Sequence, residues 1–385
     1  MLFSVDAHTI GCHLTGNEVY ISNLLREYAG LDDDAKFLTY VAKPNASASV
    51  PERFECRYVS ENPFKRLGYD IPRSLRRDRP DLLHVQYTGP LFCHTPMVVS
   101  VHDVSYLEHP EYFTKFRALQ LKFTVKRTIS QAARILTPSE FSKRSIINAY
   151  GLDDEKVVVV PNAVSPSFRP MQREVAVHWV ESHHQIPAPF ILMVGDVQPR
   201  KNHLGLVRAF EEAVRAHPHL PHSLVLVGKE TWYTPVVRRA VEHSAVRDRI
   251  YFTGWVSDEE LRYFYAASEF LAFPSFYEGF GLPILEAMAC GRAVACANTS
   301  AMPEVANAAA ILFDPYSVSE TARALSDLML DSQLRTRMER LGLQRASSFS
   351  WARTAQTTLD VYYDVVGAKQ RKKVPATKPV PVVRS

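Results

Sequence analysis

The chain has 385 residues, of which 46% are hydrophobic and 22% charged, and its net charge is +4. These proportions exclude collagen-like and mostly disordered chains. A domain typically holds about 100–200 residues, so the length predicts two domains. The small net charge gives no indication of a nucleic-acid partner.

Cysteine usage and hydropathy indicate a reduced compartment and no membrane span. The 5 cysteines are scattered without a CxxC pair, which is typical of free thiols and not of a disulfide framework or a zinc site. No apolar run approaches the roughly 18 residues of a membrane span. The first residues lack the basic-then-apolar order of a signal peptide. We therefore expect a cytoplasmic protein.

Short apolar runs without polar alternation recur along the chain, as in strands that are buried on both faces. They predict strands at 2–6, 37–42, 54–59, 81–86, 97–101, 134–137, 157–160, 190–194, 223–227, 250–252, 270–273, 293–296 and 310–313. Helical patterns lie between them, at 17–29, 114–133, 139–149, 203–216, 234–245, 258–267, 283–290 and 317–345. This alternation, repeated twice, predicts an α/β protein of two doubly wound parallel-sheet domains.

A proline-rich connection at 161–170 divides the two halves, because proline suits a linker better than the interior of an element. We expect a first domain over 1–170 and a second over 171–350. An amphipathic helix is predicted at 351–366. The basic, proline-rich tail over 367–385 is predicted to be disordered.

The segment after the strand 270–273 predicts an anion site. Gly279 and Gly281 allow a tight turn, and Pro283 suits the first position of a helix that ends near Gly291. Parallel sheets bind ligands beyond the carboxyl ends of their strands. The N–H groups of residues 280–282 would therefore face a ligand with the helix dipole behind them, as a diphosphate requires.

Two carboxylates flank this turn. Glu278 lies in the loop and Glu286 near the start of the helix, where each could accept hydrogen bonds from sugar hydroxyls. The alternative is that both serve only the helix N-terminus, since acidic side chains are stabilising there.

Three other positions follow predicted strands. Arg200 and Lys201 stand before a helix and could neutralise a diphosphate, although a solvated helix start would explain them too. His102 ends the strand 97–101 and could bond a substrate, or be a core histidine. Gly16 could let an acceptor or phosphate approach the first helix.

Two sequence patterns could indicate a metal site, but each has a more typical explanation. The run 32–34 (DDD) is more typical of a solvated turn, and the prolines of 217–222 (HPHLPH) mark a surface connection. We expect no metal site and no cofactor.

Residues 278–291 (EGFGLPILEAMACG), with their E-x7-E spacing, resemble the retaining glycosyltransferases of family 4, which have the GT-B fold. Nearly the whole chain takes part in the resemblance. The other matching segments, in family order, are 15–20 (TGNEVY), 101–104 (VHDV), 137–142 (TPSEFS), 160–164 (VPNAV), 199–202 (PRKN), 252–257 (FTGWVS) and 300–305 (SAMPEV).

The resemblance implies metal-independent transfer of a sugar from a nucleotide diphosphate with retained anomeric configuration. It implies roles that are shared out among the positions named above. In this assignment Glu278 binds the donor sugar, Glu286 binds the ribose, and His102 contacts the sugar near its reacting carbon. The diphosphate is held by Arg200, Lys201 and the N–H groups of Phe280, Gly281 and Leu282. Val256 lines the base pocket, and Gly16 lines the phosphate or acceptor side. The leaving phosphate itself would deprotonate the acceptor, and the helix 351–366 would cross back to brace the first domain.

One residue departs from the family pattern, and alternatives are open for the function, the donor and the acceptor. Many relatives carry arginine where this chain has Asp196, which leaves Arg200 as the phosphate arginine. A GT-B epimerase or phosphorylase and an inactive sugar-binding scaffold are the rival functions. The resemblance suggests GDP-mannose or a UDP-sugar as donor and a glycan or lipid-linked glycan, in surface polysaccharide synthesis, as acceptor.

Positive charge is concentrated in the first domain. Residues 64–80 carry a net +4 and residues 111–150 a net +6, while the whole chain carries only +4. Within 113–127 large apolar residues alternate with cations, which predicts a helix that docks on an anionic membrane surface. A helix with a core-facing apolar stripe and a solvated basic face would give the same pattern.

Overall fold

The computed structural model describes residues 1–12, 15–31 and 35–367. Its strands form two parallel sheets. The first sheet has the order β3-β2-β1-β4-β5-β6-β7 and the second the order β10-β9-β8-β11-β12-β13. The strands are β1 Leu2–Asp6, β2 Lys36–Val41, β3 Glu55–Tyr58, β4 Leu82–Gln86, β5 Met97–Ser100, β6 Arg134–Thr137, β7 Val157–Val159, β8 Phe190–Val194, β9 Ser223–Val227, β10 Ile250–Gly254, β11 Phe270–Phe273, β12 Ala293–Ala297 and β13 Ile311–Phe313.

Helices connect the strands and cover both faces of each sheet. They are α1 Thr15–Gly30, α2 Pro63–Lys65, α3 Ile71–Asp78, α4 Ser105–Glu108, α5 Lys115–Gln131, α6 Glu140–Tyr150, α7 Arg173–His184, α8 His203–Ala216, α9 Thr234–Glu242, α10 Asp258–Ala267, α11 Leu282–Ala289, α12 Met302–Ala306, α13 Val318–Leu330, α14 Ser332–Ala346 and α15 Trp351–Val365. Within the described residues, no helix is long and apolar enough to cross a membrane.

Every predicted strand is present, and the prediction of two doubly wound parallel sheets is confirmed. The single helix predicted over 317–345 is wrong, because Asp331 ends α13 and caps α14 by accepting a hydrogen bond from the N–H of Leu334. Helices α3 and α7 were not predicted. Arginine-rich α3 buries only Ile71, Pro72 and Leu75, which is too few residues to show a helical period.

Each sheet has its own core. In the first sheet, one face packs on α1 and α15, and the other packs on α3 and α5. The second sheet is surrounded by one large core that includes every residue of β11 and β12. Because strands such as β8 and β9 are buried along their whole length, they carry no polar alternation.

Helix α15 follows the second sheet in the chain but packs on the first. Trp351, Leu359 and Tyr362 belong to the core beside α1, and the Thr354 hydroxyl donates to the carbonyl of Pro161 at 2.6 Å. Helix α15 thereby joins the second half of the chain back to the first domain. The predicted tail from residue 368 onward and the acidic run 32–34 lie outside the described residues.

Candidate active site

The carboxyl edges of the two sheets meet at Gly279. The Ser139 hydroxyl, at the start of α6, donates to the Gly279 carbonyl at 2.7 Å. A side chain at residue 279 would place its Cβ only 2.2 Å from the carbonyl oxygen of His102, so only glycine fits there. The loop that carries Glu278 is thereby held directly against the strand end that carries His102.

A second contact between the domains lies beside the first. The carboxylate of Glu304, on α12, accepts hydrogen bonds from the N–H groups of Glu140 and Phe141 at 2.9 and 3.1 Å. Both N–H groups lie in the first turn of α6 and have no partner within that helix, and a negative charge is stabilising there. A helix of the first domain is therefore capped by a side chain of the second.

Three charged side chains from two loops of the second domain form the centre of the site. The Glu278 carboxylate lies 2.7 Å from the Arg200 guanidinium and 2.7 Å from the Lys201 ammonium. Glu278 and Lys201 are buried. Burial alone would raise the pKa of Glu278, but Arg200 and Lys201 outweigh it and lower the pKa to about 2. We refer to Arg200, Lys201 and Glu278 as the charged triad; it has two cations to one anion.

Local backbone structure positions the two cations. Residues 199–201 form one turn of 3-10 helix, after which Asn202 adopts a left-handed conformation with φ 57° and caps α8. Lys201 then lies over the Phe273 ring, with its ammonium 5.0 Å from the ring centre. The Arg200 guanidinium also donates to the carbonyl of Tyr277 at 2.8 Å. Both cations are thus held against the loop that carries Glu278.

The glycine turn ends at the N-terminus of α11. Gly281 has φ 104°, a left-handed conformation that favours glycine, and it forms the N-cap. Helix α11 begins at Leu282, so Pro283 occupies the second helical position and not the predicted first, and Gly291 follows the helix end with φ 71°. The N–H of Leu282 has no helical partner and can bind an anion together with the neighbouring N–H groups.

Glu286 lies in the second turn of α11. The buried Tyr265 of α10 donates a 2.7 Å hydrogen bond to one carboxylate oxygen of Glu286. Burial raises the pKa of Glu286 to about 7, and nearby Asp258 acts in the same direction, whereas Tyr265 and Lys201 act against it. The two carboxylates of the E-x7-E segment therefore differ, since Glu278 is ionised and Glu286 titrates near neutral pH.

His102 follows β5 in the first domain. Its Nε2–H donates to the Gln86 side-chain carbonyl at 3.2 Å, and Tyr20 packs edge-on against the imidazole. Gln86 in turn donates to the carbonyl of Asn17 on α1. Burial lowers the pKa of His102 to about 4. The ring is therefore neutral at physiological pH, and its Nδ1 can accept a hydrogen bond from a hydroxyl.

The remaining predicted residues lie around this centre. Gly16 is the second residue of α1 and is exposed. Apart from its chain neighbours and its own helix backbone, no atom of the described residues lies within 4 Å of the place a Cβ would take. Val256 is buried just before α10, whose first residue Asp258 has its pKa raised by burial and by Glu18 of α1.

Several residues that shape the site were not predicted. Tyr265 and Gln86 hold functional side chains through tertiary contacts, which a motif does not reveal. Ser139 and Glu304 do fall within matching segments, 137–142 and 300–305, but the sequence gives no reason to connect those two segments. Among the residues that the structure describes, no group of three or more His, Cys, Asp or Glu side chains is arranged to hold a metal ion.

Comparison with known proteins identifies the family. Residues 14–168 match the model of "Glycosyltransferase Family 4", and residues 181–345 match that of "Glycosyl transferases group 1". The chain is 32% identical over 265 residues to the O-antigen chain mannosyltransferase B of Escherichia coli, with 69% of each chain covered. The chain therefore belongs to glycosyltransferase family 4, and it is a glycosyltransferase.

Two more distant comparisons concern a second relative and the fold. The serotype-specific mannosyltransferase WbdA of Escherichia coli is 26% identical over 243 residues, 62% of this chain and 30% of the relative's length. The Anabaena Alr3699/HepE crystal structure, in complex with UDP and glucose, has a TM-score of 0.75 at 17% identity, covering 94% of this chain and 100% of the other. The GT-B fold expected from the sequence is confirmed.

Proposed function

We propose that the protein transfers a mannosyl residue from GDP-mannose to a growing glycan, with retention of the anomeric configuration. The observation that carries the proposal is the charged triad next to the N-terminus of α11. The choice of mannose is supported by the relatives, two of which are named as mannosyltransferases. The growing glycan is supported by the name of the first, which refers to the O-antigen chain.

The triad suits a diphosphate because its charges do not balance. Within contact distance the two cations share one carboxylate, that of Glu278. Asp103 acts on Arg200 and Asp196 on Lys201 only from farther away, so neither cation has a carboxylate to itself. Positive charge in such a place is costly until an anion arrives. We assign the diphosphate to Arg200, Lys201 and the free N–H groups at the start of α11, and the hydroxyls of the donor sugar to Glu278.

The reaction breaks the bond between the anomeric carbon and the phosphate oxygen and forms one from that carbon to an acceptor oxygen. The acceptor proton passes to the leaving phosphate on the same face of the sugar. Arg200 and Lys201 stabilise the charge that grows on the phosphate. Preorganised electrostatic stabilisation of this kind contributes much of the rate enhancement in many enzymes. His102, neutral and beside the Glu278 loop, would accept a hydrogen bond from a sugar hydroxyl. In this scheme the protein's cations do the work for which other transferases use a divalent metal.

An exposed apolar surface on the first domain supports a membrane-bound acceptor. On α5, Phe116, Leu119 and Phe123 share one face and are 55–76% exposed. Phe64, in the short helix α2, and Phe92, on the loop between β4 and β5, are 78% and 66% exposed. The Leu91 N–H donates to the Leu67 carbonyl and the Gly89 N–H to the Thr128 hydroxyl of α5, so this loop contacts both the segment that follows α2 and α5.

Exposed cations lie on the same helices and on α3. Lys65 is on α2 beside Phe64, Lys115, Arg117, Lys122 and Lys126 are on α5, and Arg73, Arg76 and Arg77 are on α3. Arg66, which contributes to the net +4 of residues 64–80, is instead buried and lies 3.9 Å from Asp6. Large exposed apolar side chains interspersed with cations suit the interface of an anionic bilayer, where each engaged cation contributes about 1 kcal/mol. We infer that this surface docks on anionic lipid, where a glycan on a lipid carrier would be found.

The membrane proposal is tested with vesicles. Co-sedimentation at low salt should show binding to anionic and not to neutral vesicles, and a loss of binding as salt rises. The double variant Phe116→Ser/Phe123→Ser should lose this binding. Leu330→Ser, which changes an exposed leucine of the second domain, should keep it. Equal binding to both lipids, or no difference between the variants, would contradict the proposal.

The donor proposal is tested by ligand-induced stabilisation and product analysis. A donor present at 100 times its Kd should stabilise the protein by about 2.7 kcal/mol. We expect this with GDP-mannose and not with UDP-sugars, and we expect GDP release when a mannoside acceptor is added. The control variant Arg215→Ala, at the exposed end of α8, should behave as the wild type. Stabilisation by UDP-sugars alone would transfer the proposal to another donor, and no turnover with any donor would contradict it.

A further inference from the structure

A pocket lies beside the charged triad on the same edge of the second sheet. Its volume is about 270 Å³, and it is formed where the chain leaves β8, β9, β11 and β13. The side chains that matter for its chemistry are Arg208, Tyr233, Phe276 and Tyr316. Neither Glu278 nor Lys201 lines it, so the pocket is separate from the site assigned to the donor.

Aromatic rings form one side of this pocket. Phe276 and Tyr316 stack with their ring centres 4.8 Å apart and an angle of 23° between them. Tyr316 is nevertheless 65% exposed. This large ring thus keeps most of its surface open to a ligand in the pocket, and aromatic rings with a few polar groups are typical of small-ligand sites.

Arg208 is a polar side chain of this pocket that is open to a ligand. His203 also lines the pocket, but it is 1% exposed and its Nδ1 is closed to solvent, so this atom lies behind the pocket surface. Exposed Arg208, at the rim, offers hydrogen-bond donors.

The aromatic wall links the pocket to the active site and to the first domain. The Phe276 N–H donates to the carbonyl of Arg200 at 2.8 Å. Tyr112 of the first domain stacks on Phe276, with the ring centres 6.3 Å apart and 12° between the planes. A chain molecule whose end reaches the triad could therefore pass over this wall into the pocket.

We propose that the pocket binds a sugar unit of the acceptor glycan that lies behind the growing end. The occupant must present an apolar ring face to Tyr316 and hydroxyls to Arg208, and a neutral pyranose does both. The inference rests on the proposed transfer to a glycan. The enzyme should consequently prefer long acceptors over short ones.

The test compares acceptors of two lengths. Mannotetraose is titrated into the protein by calorimetry, and methyl mannoside and mannotetraose are compared as acceptors. Tyr316→Ala should weaken mannotetraose binding about tenfold, equivalent to 1.4 kcal/mol, and raise its KM without changing that of methyl mannoside. Tyr58→Ala removes a tyrosine of similar exposure from the first domain and serves as the matched control.

The outcomes separate this inference from the proposed function. If the wild type binds mannotetraose and Tyr316→Ala binds it about tenfold more weakly, the pocket is a glycan site. If the wild type transfers mannose but the two proteins bind the tetrasaccharide equally, or Tyr58→Ala loses as much affinity, the inference is overturned while the function stands. Absence of tetrasaccharide binding to the wild type would overturn it as well. A wild type that transfers from no nucleotide sugar contradicts the function, and calorimetry still tests the pocket.

Discussion

The ammonium of Lys201 lies 2.7 Å from the carboxylate of Glu278, 77 positions along the chain, and both side chains are buried. This contact joins the loop after β8 to the loop after β11, which are neighbouring strands in the second sheet. Because Arg200 binds the same carboxylate, Lys201 is not fully neutralised and can meet a second anion. The first two predictions follow from this arrangement.

Lys201→Ala should lower turnover by about 100-fold or more, by analogy with the loss of one preorganised donor to a charged transition state. Donor affinity should fall as well, since the diphosphate carries charge before the reaction begins. Steady-state kinetics with GDP-mannose measures both quantities. A variant within about threefold of the wild type would remove Lys201 from the site, and Arg215→Ala controls for the general loss of a cation.

Glu278→Gln and Glu286→Gln should have opposite effects. We expect Glu278→Gln to lower turnover and to leave the affinity for free GDP unchanged or improved, because the carboxylate that competes for Arg200 and Lys201 is gone. Glu286→Gln should mainly weaken GDP, since this residue is assigned to the ribose. Calorimetry with GDP decides: a greater loss of affinity in Glu278→Gln than in Glu286→Gln would reverse the two roles.

GDP affinity should depend on pH through Glu286. Its pKa is raised to about 7, so the carboxyl is protonated below that value and ionised above it. An ionised carboxylate accepts more hydrogen bonds from hydroxyls, and binding should strengthen as pH rises through 7. Tyr265→Phe removes a hydrogen bond that favours the ionised form, and so it should move the midpoint to higher pH.

Calorimetric titrations with GDP between pH 5.5 and about 8.5 measure this midpoint. The phosphate of GDP also titrates in this range, and its effect on affinity is the same for every protein compared. The variant Glu286→Gln should lack the pH dependence of GDP affinity that Glu286 adds. Asp258 and Lys201 also act on Glu286, but they are unchanged in these variants. Identical profiles for the wild type and Tyr265→Phe would mean that Tyr265 has no part in positioning Glu286.

Glu304→Ala should loosen the contact between the domains. The variant leaves two N–H groups at the start of α6 without their partner, and loss of such a cap costs about 1 kcal/mol. The arrangement in which the two domains are in contact should be less populated. This change should raise the KM for the donor and increase the radius of gyration measured by X-ray scattering. Glu320→Ala, at the first turn of α13 away from the contact, is the control. Unchanged scattering and kinetics would show that the contact does not hold the domains together.

Much of the fold could be predicted because strands buried on both faces leave continuous apolar runs. Helix α7 follows the proline-rich connection directly and buries only Ala176 and Val180, which explains why it was missed. The E-x7-E segment could be located because its turn and helix are local. The pairing of Glu278 with two cations, and of Glu286 with Tyr265, could not be predicted, since tertiary packing brings these side chains together.

The central claim is that the protein's own cations hold the donor diphosphate while mannose is transferred with retention. The most direct test incubates the protein with GDP-mannose and an acceptor in excess EDTA and determines the anomeric configuration of the new linkage by NMR. We predict undiminished turnover and an α-linked mannosyl product, the configuration of the donor. A β-linked product, or activity that disappears with EDTA and returns with Mg²⁺ or Mn²⁺, would contradict the account.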